Sequence, residues 1–136
     1  MTRWLRPRAV FDGESLLPDT LVGIEGDRIA ALAPASDLPP ATITEPVDAI
    51  LSPGLFDVQV NGGGGVMLNN DPSREGVRKI AAAHRSVGTA FILPTVITDL
   101  PEVTERAADA VLAEQGRGGV LGIHIEGPHI SLAHKG

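Results

Sequence analysis

Gly122-Ile123-His124-Ile125-Glu126-Gly127-Pro128-His129 reads as a strand that breaks at once on Gly-Pro. Side chains two apart on a strand share a face, so His124 and Glu126 stand side by side while Ile123 and Ile125 turn to the other layer. A polar pair at the carboxyl end of an apolar strand is where α/β proteins place their chemistry. A histidine and a glutamate buried there cost free energy unless they are paired or coordinated. Two readings stay open on the residues alone: a metal or acid–base role, or a mutual hydrogen bond that closes the core.

The stretches before it carry the same architecture. Thr89 to Val96 is nearly all apolar, as expected of a strand covered on both faces. Leu55 to Asn61 is a further strand, carrying Asp57, Gln59 and Asn61 on one face and running into Gly62-Gly63-Gly64-Gly65. Between these strands, Pro72 to Val87 has helical spacing, with Val77, Ile80, Ala81, His84 and Val87 along one stripe. Asp71 is the expected N-cap and Gly88 the expected stop. A second helix is expected after Thr98 or Asp99 as cap, with Pro101 and Glu102 in its first turn and Val103, Ala107, Ala110, Val111 and Glu114 along it. Gly116-Arg117-Gly118-Gly119 ends it, and Val120 to Glu126 forms the third strand. Strand–helix–strand–helix–strand with short connections is the signature of parallel βα units and of the α/β class. Three strands do not close a barrel, and the chain runs only ten residues past Glu126, so the architecture reads as incomplete.

Residues 1 to about 50 read differently, as a small β unit. Ala9-Val10-Phe11 precedes an Asp12-Gly13 turn. Leu21 to Ile24 and Arg28 to Leu32 flank Glu25-Gly26-Asp27 as a hairpin, and Ala49 to Leu51 is a further short strand. Strands this short have too little core alone and must lean on another element.

Composition narrows the partners. A net charge of −6 without any basic run argues against nucleic acid. With no cysteine, disulfides and thiolate metal sites are excluded. Neither a signal-peptide core nor an apolar run of roughly 18 residues is present, so a soluble, cytoplasmic protein without membrane contact is expected. Aromatic residues make up only 3%, so packing rests on aliphatic side chains.

Among the polar positions, Asp57 reads as a hydrogen-bond partner of the turn that follows it. Gln59 and Asn61 lie nearer the strand's carboxyl end and are placed to touch a ligand or a metal-bound water, although a neutral amide is a weak metal ligand. The four-glycine run is either an anion cradle or a tight turn. His84 reads as a satisfied core or boundary histidine, His129 and His134 as surface residues, and Arg117 as a solvated loop charge. Lys135 is placed to reach a phosphate.

Three stretches together resemble a known family. Leu51-Ser52-Pro53-Gly54-Leu55-Phe56-Asp57-Val58-Gln59-Val60-Asn61-Gly62 is similar to the first barrel strand of the N-acetylglucosamine-6-phosphate deacetylases, in the amidohydrolase superfamily. Leu93-Pro94-Thr95 resembles that family's second-strand motif, and Gly122 to Pro128 with Lys135-Gly136 its third strand and loop. The resemblance implies an N-terminal portion: residues 1–50 as half of a small β-sandwich satellite, and 51–136 as the first three βα units of a truncated (β/α)8 metal-dependent hydrolase barrel. It implies hydrolysis of N-acetylglucosamine 6-phosphate to glucosamine 6-phosphate and acetate, with one divalent metal, zinc, polarising the amide carbonyl and activating a water.

Under the resemblance, Glu126 matches the metal-binding glutamate. Gln59 and Asn61 occupy positions where many amidohydrolases carry a metal-binding H-x-H pair, which implies a single-metal site. His124 becomes a supporting neighbour. The catalytic aspartate, which serves as base and then acid, and the two other metal ligands come from later strands of the family. No catalytic residue is therefore expected within this chain, and the chain alone is expected to be inactive. The whole protein is expected to be a homodimer acting on a small sugar phosphate. Two rivals remain: another amidohydrolase, a deaminase or cyclic amidase, or a non-enzymatic assembly module that works through exposed strand edges.

Overall fold

The structure, a computed structural model, describes residues 1–127 and 129–134. The chain is α/β and divides into two compact units, Met1–Pro53 and the part from Gly54 onward.

The first unit is a single five-stranded sheet built on β1 (Arg3–Phe11). Antiparallel to β1 run β2 (Leu16–Pro18) and β3 (Thr20–Glu25), and both keep the same register against it, Val10 facing Leu17 and Trp4 facing Gly23. They are in effect one strand broken at Asp19, whose φ of 48° takes it out of extended backbone. The hairpin from β3 to β4 (Arg28–Pro34) turns on Gly26-Asp27, and β5 (Thr44–Leu51) returns parallel to β1. At the first turn, the Asp12 carboxylate accepts the backbone N–H of Glu14 and Ser15. These bonds, that from Ser15 foremost, hold its pKa below the ordinary value. The buried apolar residues of this unit are Ala9, Val10, Leu21 and Val22. Sequence reading found the hairpin and the ends of β1 and β5. It missed β2 and the first part of β1, where Arg3, Arg6, Pro7 and Arg8 obscure any alternation.

The second unit holds a three-stranded parallel sheet in the order β10-β9-β6, from β6 (Leu55–Val60), β9 (Thr89–Ile97) and β10 (His124–Glu126). Between β6 and β9 come a small antiparallel pair, β7 (Gly62–Gly63) with β8 (Val66–Met67), and helix α1 (Arg74–Arg85). Helix α2 (Pro101–Glu114) links β9 to β10. Val77, Ile80 and Ala81 of α1 and Ala107, Ala110 and Val111 of α2 pack with Val60, Leu68, Ile92, Val96 and Val120 in one aliphatic core. A short 3-10 turn, Leu132–His134, is the only regular element after β10 among the described residues.

Several boundaries differ from the sequence expectation. The α1 N-cap is Ser73, not Asp71: its Oγ accepts the Gly76 N–H at 3.0 Å, and the helix ends before Val87, which is 75% exposed. Neither Thr98 nor Asp99 caps α2. Leu100 is the N-cap residue and its side chain has no acceptor to offer, while Pro101 at the first helical position removes one of the orphan N–H groups. The third strand is shorter than expected, with Val120 reduced to an isolated bridge to Ile92.

The four-glycine run is a tight hairpin. Gly64 and Gly65, with φ of 60° and 78°, form its two-residue turn, the double positive φ that the type I′ connection requires.

Candidate functional site at the strand carboxyl ends

His124 and Glu126 share a face, as expected, because their partners on β9 are Thr95 and Ile97, two apart. They are half-buried rather than buried, and they do not form the mutual hydrogen bond left open by the sequence: each finds a different partner. The Gln59 amide donates to Glu126 through Nε2–Oε2 at 2.6 Å. His124 Nδ1 lies 3.4 Å from Thr95 Oγ1. Asn61, exposed at the end of β6, enters through its backbone, its carbonyl oxygen accepting the Leu68 N–H at 2.9 Å. Asp57 accepts the Gln59 N–H at 3.0 Å, a bond within β6 and not to the glycine turn expected from the sequence.

Four residues shape this end of the sheet: Pro94 and Thr95, marked in sequence by the second-strand motif, Thr98, expected there as a helix cap, and Asn69, which the sequence does not mark. Pro94 sits in the central strand, where a missing N–H disrupts the ladder. The β6–β9 register shifts just before Val60, and there Thr95, fully buried, takes up a strand donor: its Oγ1 accepts the Val60 N–H at 2.9 Å and donates to the Leu93 carbonyl at 3.1 Å. Asn69 pairs with the end of β9 as another strand would. Its Oδ1 accepts the Ile97 N–H, and its Nδ2 donates to the Ile97 carbonyl and to Asp99 Oδ2, all near 3 Å. Thr98 Oγ1 donates to the Glu126 carbonyl at 3.1 Å. A threonine directly after a proline inside a strand is the local signal for Thr95. Nothing local marks Asn69, whose partners are 28 residues away.

Glu126 supplies a carboxylate suited to a hard or borderline divalent cation. No group of three or more His, Cys, Asp or Glu side chains converges among the described residues. A zinc centre needs three protein ligands or more. The donor type thus fits a metal and the donor number does not, so Glu126 is at most one ligand of a set completed from elsewhere. His84 Nε2 donates to the Gly62 carbonyl at 2.9 Å, which accounts for it as a satisfied boundary histidine. The reading of Lys135 as a phosphate contact, and the Pro128 and Lys135-Gly136 parts of the family resemblance, lie outside the described residues.

A parallel βα sheet with a carboxylate at the carboxyl ends of its strands is the layout by which α/β proteins seat a polar ligand. Comparison with known proteins narrows the class. No protein-family model matches the chain. The N-acetylgalactosamine-6-phosphate deacetylase of Shewanella sp. (strain ANA-3) is 52% identical over 85 residues, covering 61% of this chain and 22% of that protein. The N-acetylglucosamine-6-phosphate deacetylase of Haemophilus influenzae is 32% identical over 131 residues, covering 93% of this chain and 34% of that protein.

Among solved structures, the N-acetyl-D-glucosamine-6-phosphate deacetylase of Mycobacterium smegmatis superposes with a TM-score of 0.82 at 27% identity, covering 98% of this chain and 38% of that one. A mutant of that enzyme in complex with N-acetyl-D-glucosamine 6-phosphate gives a TM-score of 0.76 at 30% identity, covering 99% of this chain and 35% of that one. In sequence and in fold, this chain is a relative of the amino-sugar 6-phosphate deacetylases, and what it matches is an N-terminal portion of them. The chain spans between about a fifth and a third of the length of these curated relatives.

Proposed function

We propose that the whole protein hydrolyses the acetamide of N-acetylglucosamine 6-phosphate, giving glucosamine 6-phosphate and acetate. The observation that carries the reading is the Gln59–Glu126 contact, which fixes a carboxylate at the strand carboxyl ends with an amide, not a second ligand, beside it. In this reading residues 1–50 are part of a β-sandwich satellite and 51–136 the first βα units of a (β/α)8 barrel. Glu126 is one ligand of a single divalent ion, zinc, whose chemistry when bound is to polarise a carbonyl and lower the pKa of a water.

The residues of this chain prepare that site. Gln59 donates to Oε2 of Glu126, and Glu126 would hold the ion. Thr98 holds the Glu126 backbone through its carbonyl. His124, tied to Thr95, borders the carboxylate on the same strand face. The sugar phosphate is the ligand, and the whole protein is a cytoplasmic homodimer.

A second reading has a specific observation behind it. The 52% identical Shewanella relative acts, by its name, on the galactose epimer. Acetate release from the two N-acetylhexosamine 6-phosphates, measured side by side on the whole protein, decides between them. Turnover of neither overturns the proposal. The 136-residue chain on its own, given zinc, is expected to release no acetate above background; turnover there would show that one carboxylate is not the whole of its ligand set.

A further inference from the structure

A cavity of about 340 Å³ opens between α1 and the turn that follows α2, lined by Arg78, Arg85, Arg117, Glu114, Gly118 and Val120. We propose that it binds the phosphate group of a small phosphorylated molecule, at a site separate from that of Glu126.

The charge balance of the wall points to an anion. Glu114, only 3% exposed, accepts from Arg74 Nε at 2.6 Å and from Arg78 Nε and Nη2 at 2.9 and 2.8 Å. One carboxylate therefore serves two guanidinium groups. Arg85 donates to the Gly118 carbonyl, and Arg117 has no carboxylate partner among the described residues. Three arginines of the wall thus stand with one carboxylate, which Arg74 beside the wall also bonds, on a chain whose net charge is −6. Loose surface arginines carry little meaning, but here two of the three in the wall are tethered, Arg78 to Glu114 and Arg85 to Gly118. Tethering lowers the ordering cost of binding. The planar fork of an arginine matches the oxygens of a phosphate two at a time.

The surroundings are consistent with this. Arg117 sits on a turn fixed by Gly116 N–H to the Val120 carbonyl at 2.8 Å and by Val120 N–H to the Arg117 carbonyl at 3.0 Å. The carbonyls at the α2 C-terminus, which repel an anion, are partly taken up: Leu112 O accepts from Gln115 N–H and Glu114 O from Arg117 N–H. The volume lies at the lower end of the range of small-molecule pockets, about 300–1,000 Å³. Gly119 and Leu121 hydrogen-bond to Ile92, near the amino-terminal half of β9, whereas Glu126 pairs with Ile97 at its carboxyl end. The two sites therefore lie at opposite ends of the strand.

The test is calorimetric titration of the chain with inorganic phosphate at constant ionic strength, against chloride. One saturable site is expected, weakened about tenfold or more in Arg117→Ala and in Arg85→Ala, since each removes a charge-assisted hydrogen bond. Arg28→Ala, in the first unit, is expected to bind as the parent does. Circular dichroism checks that each variant folds, and Arg117→Lys, which keeps the charge without the fork, is expected to bind with intermediate affinity. Phosphate binding no stronger than chloride, or binding unchanged in folded Arg85→Ala and Arg117→Ala, would overturn the proposal.

Discussion

Gln59 reaches Glu126 across an intervening strand. The two residues lie on β6 and β10, which are not neighbours: β9 runs between them, and the amide still meets the carboxylate at 2.6 Å. Two strand spacings amount to about 9–10 Å, so the contact depends on both side chains being long. Gln59→Asn shortens one by a methylene and is expected to lose the tether as fully as Gln59→Ala does. If the proposed function holds, both variants of the whole protein lower acetate release or metal content by roughly 10–100-fold, the usual effect of removing a ligand's supporting partner. Full activity in Gln59→Asn would show that the amide does not position Glu126.

Glu126 is also held from behind. Gly127 has φ of 107°, and a Cβ there would lie 2.0 Å from Thr98 Oγ1, the hydroxyl that donates to the Glu126 carbonyl. Gly127→Ala therefore meets both backbone strain and a clash with that hydroxyl. It is expected to destabilise the chain by about 1–3 kcal/mol, read as a lower urea midpoint. Gly13→Ala tests the strain alone, since its φ of 111° comes with open space around the missing Cβ. Equal losses in the two variants would remove the steric part of the explanation.

Why Glu126 was legible in sequence while its supports were not follows from distance along the chain. The alternation around His124 and Glu126, the apolar run of β9 and the helical stripe through Val77, Ile80 and Ala81 are local patterns, and each is found in the structure. The helix caps are local too, but competing polar residues stand side by side there, Asp71 with Ser73 and Thr98 with Asp99. At α1 the backbone angles, which composition does not reveal, decide for Ser73 over Asp71, and at α2 the N-cap is neither polar candidate but Leu100. Gln59, Asn69 and Glu114 take their roles from partners 67, 28 and up to 40 residues away. Glu114 in particular read as one more position on a helix, and only the fold shows two arginines of α1 closing over it.

That burial has a consequence for acid stability. Hydrogen bonds from Arg78, then from Arg74, draw the Glu114 carboxyl down from 4.5 to about 2, against the opposing effect of burial. A group depressed in the folded state stabilises the fold above its unfolded pKa and ceases to do so as pH falls through its folded value. The contribution of Glu114 is thus complete above 4.5 and is lost on descending towards about 2. Glu114→Gln is expected to be less stable than the parent at about pH 7 and to show a flatter decline through this acid window. Parallel acid-denaturation curves for the two proteins would mean that the arginine pair contributes nothing to folding.

The hydroxyl of Thr95 takes up the Val60 N–H where the β6–β9 register shifts. It accepts the Val60 N–H at 2.9 Å and is itself fully buried, so no water stands ready to replace it. Its own proton goes to the Leu93 carbonyl at 3.1 Å. With that proton committed, His124 meets the hydroxyl as a donor from Nδ1, which leaves Nε2 as the accepting nitrogen. Thr95→Val keeps the shape and removes the acceptor. It strands the Val60 N–H inside the sheet, at a cost of about 1–3 kcal/mol. Thr95→Ser keeps the acceptor and gives up one buried methyl, so it is expected to lose less, about 1 kcal/mol. Urea denaturation ranks the two. A serine variant weaker than the valine variant would assign Thr95 to packing, and the Val60 N–H would then need another partner.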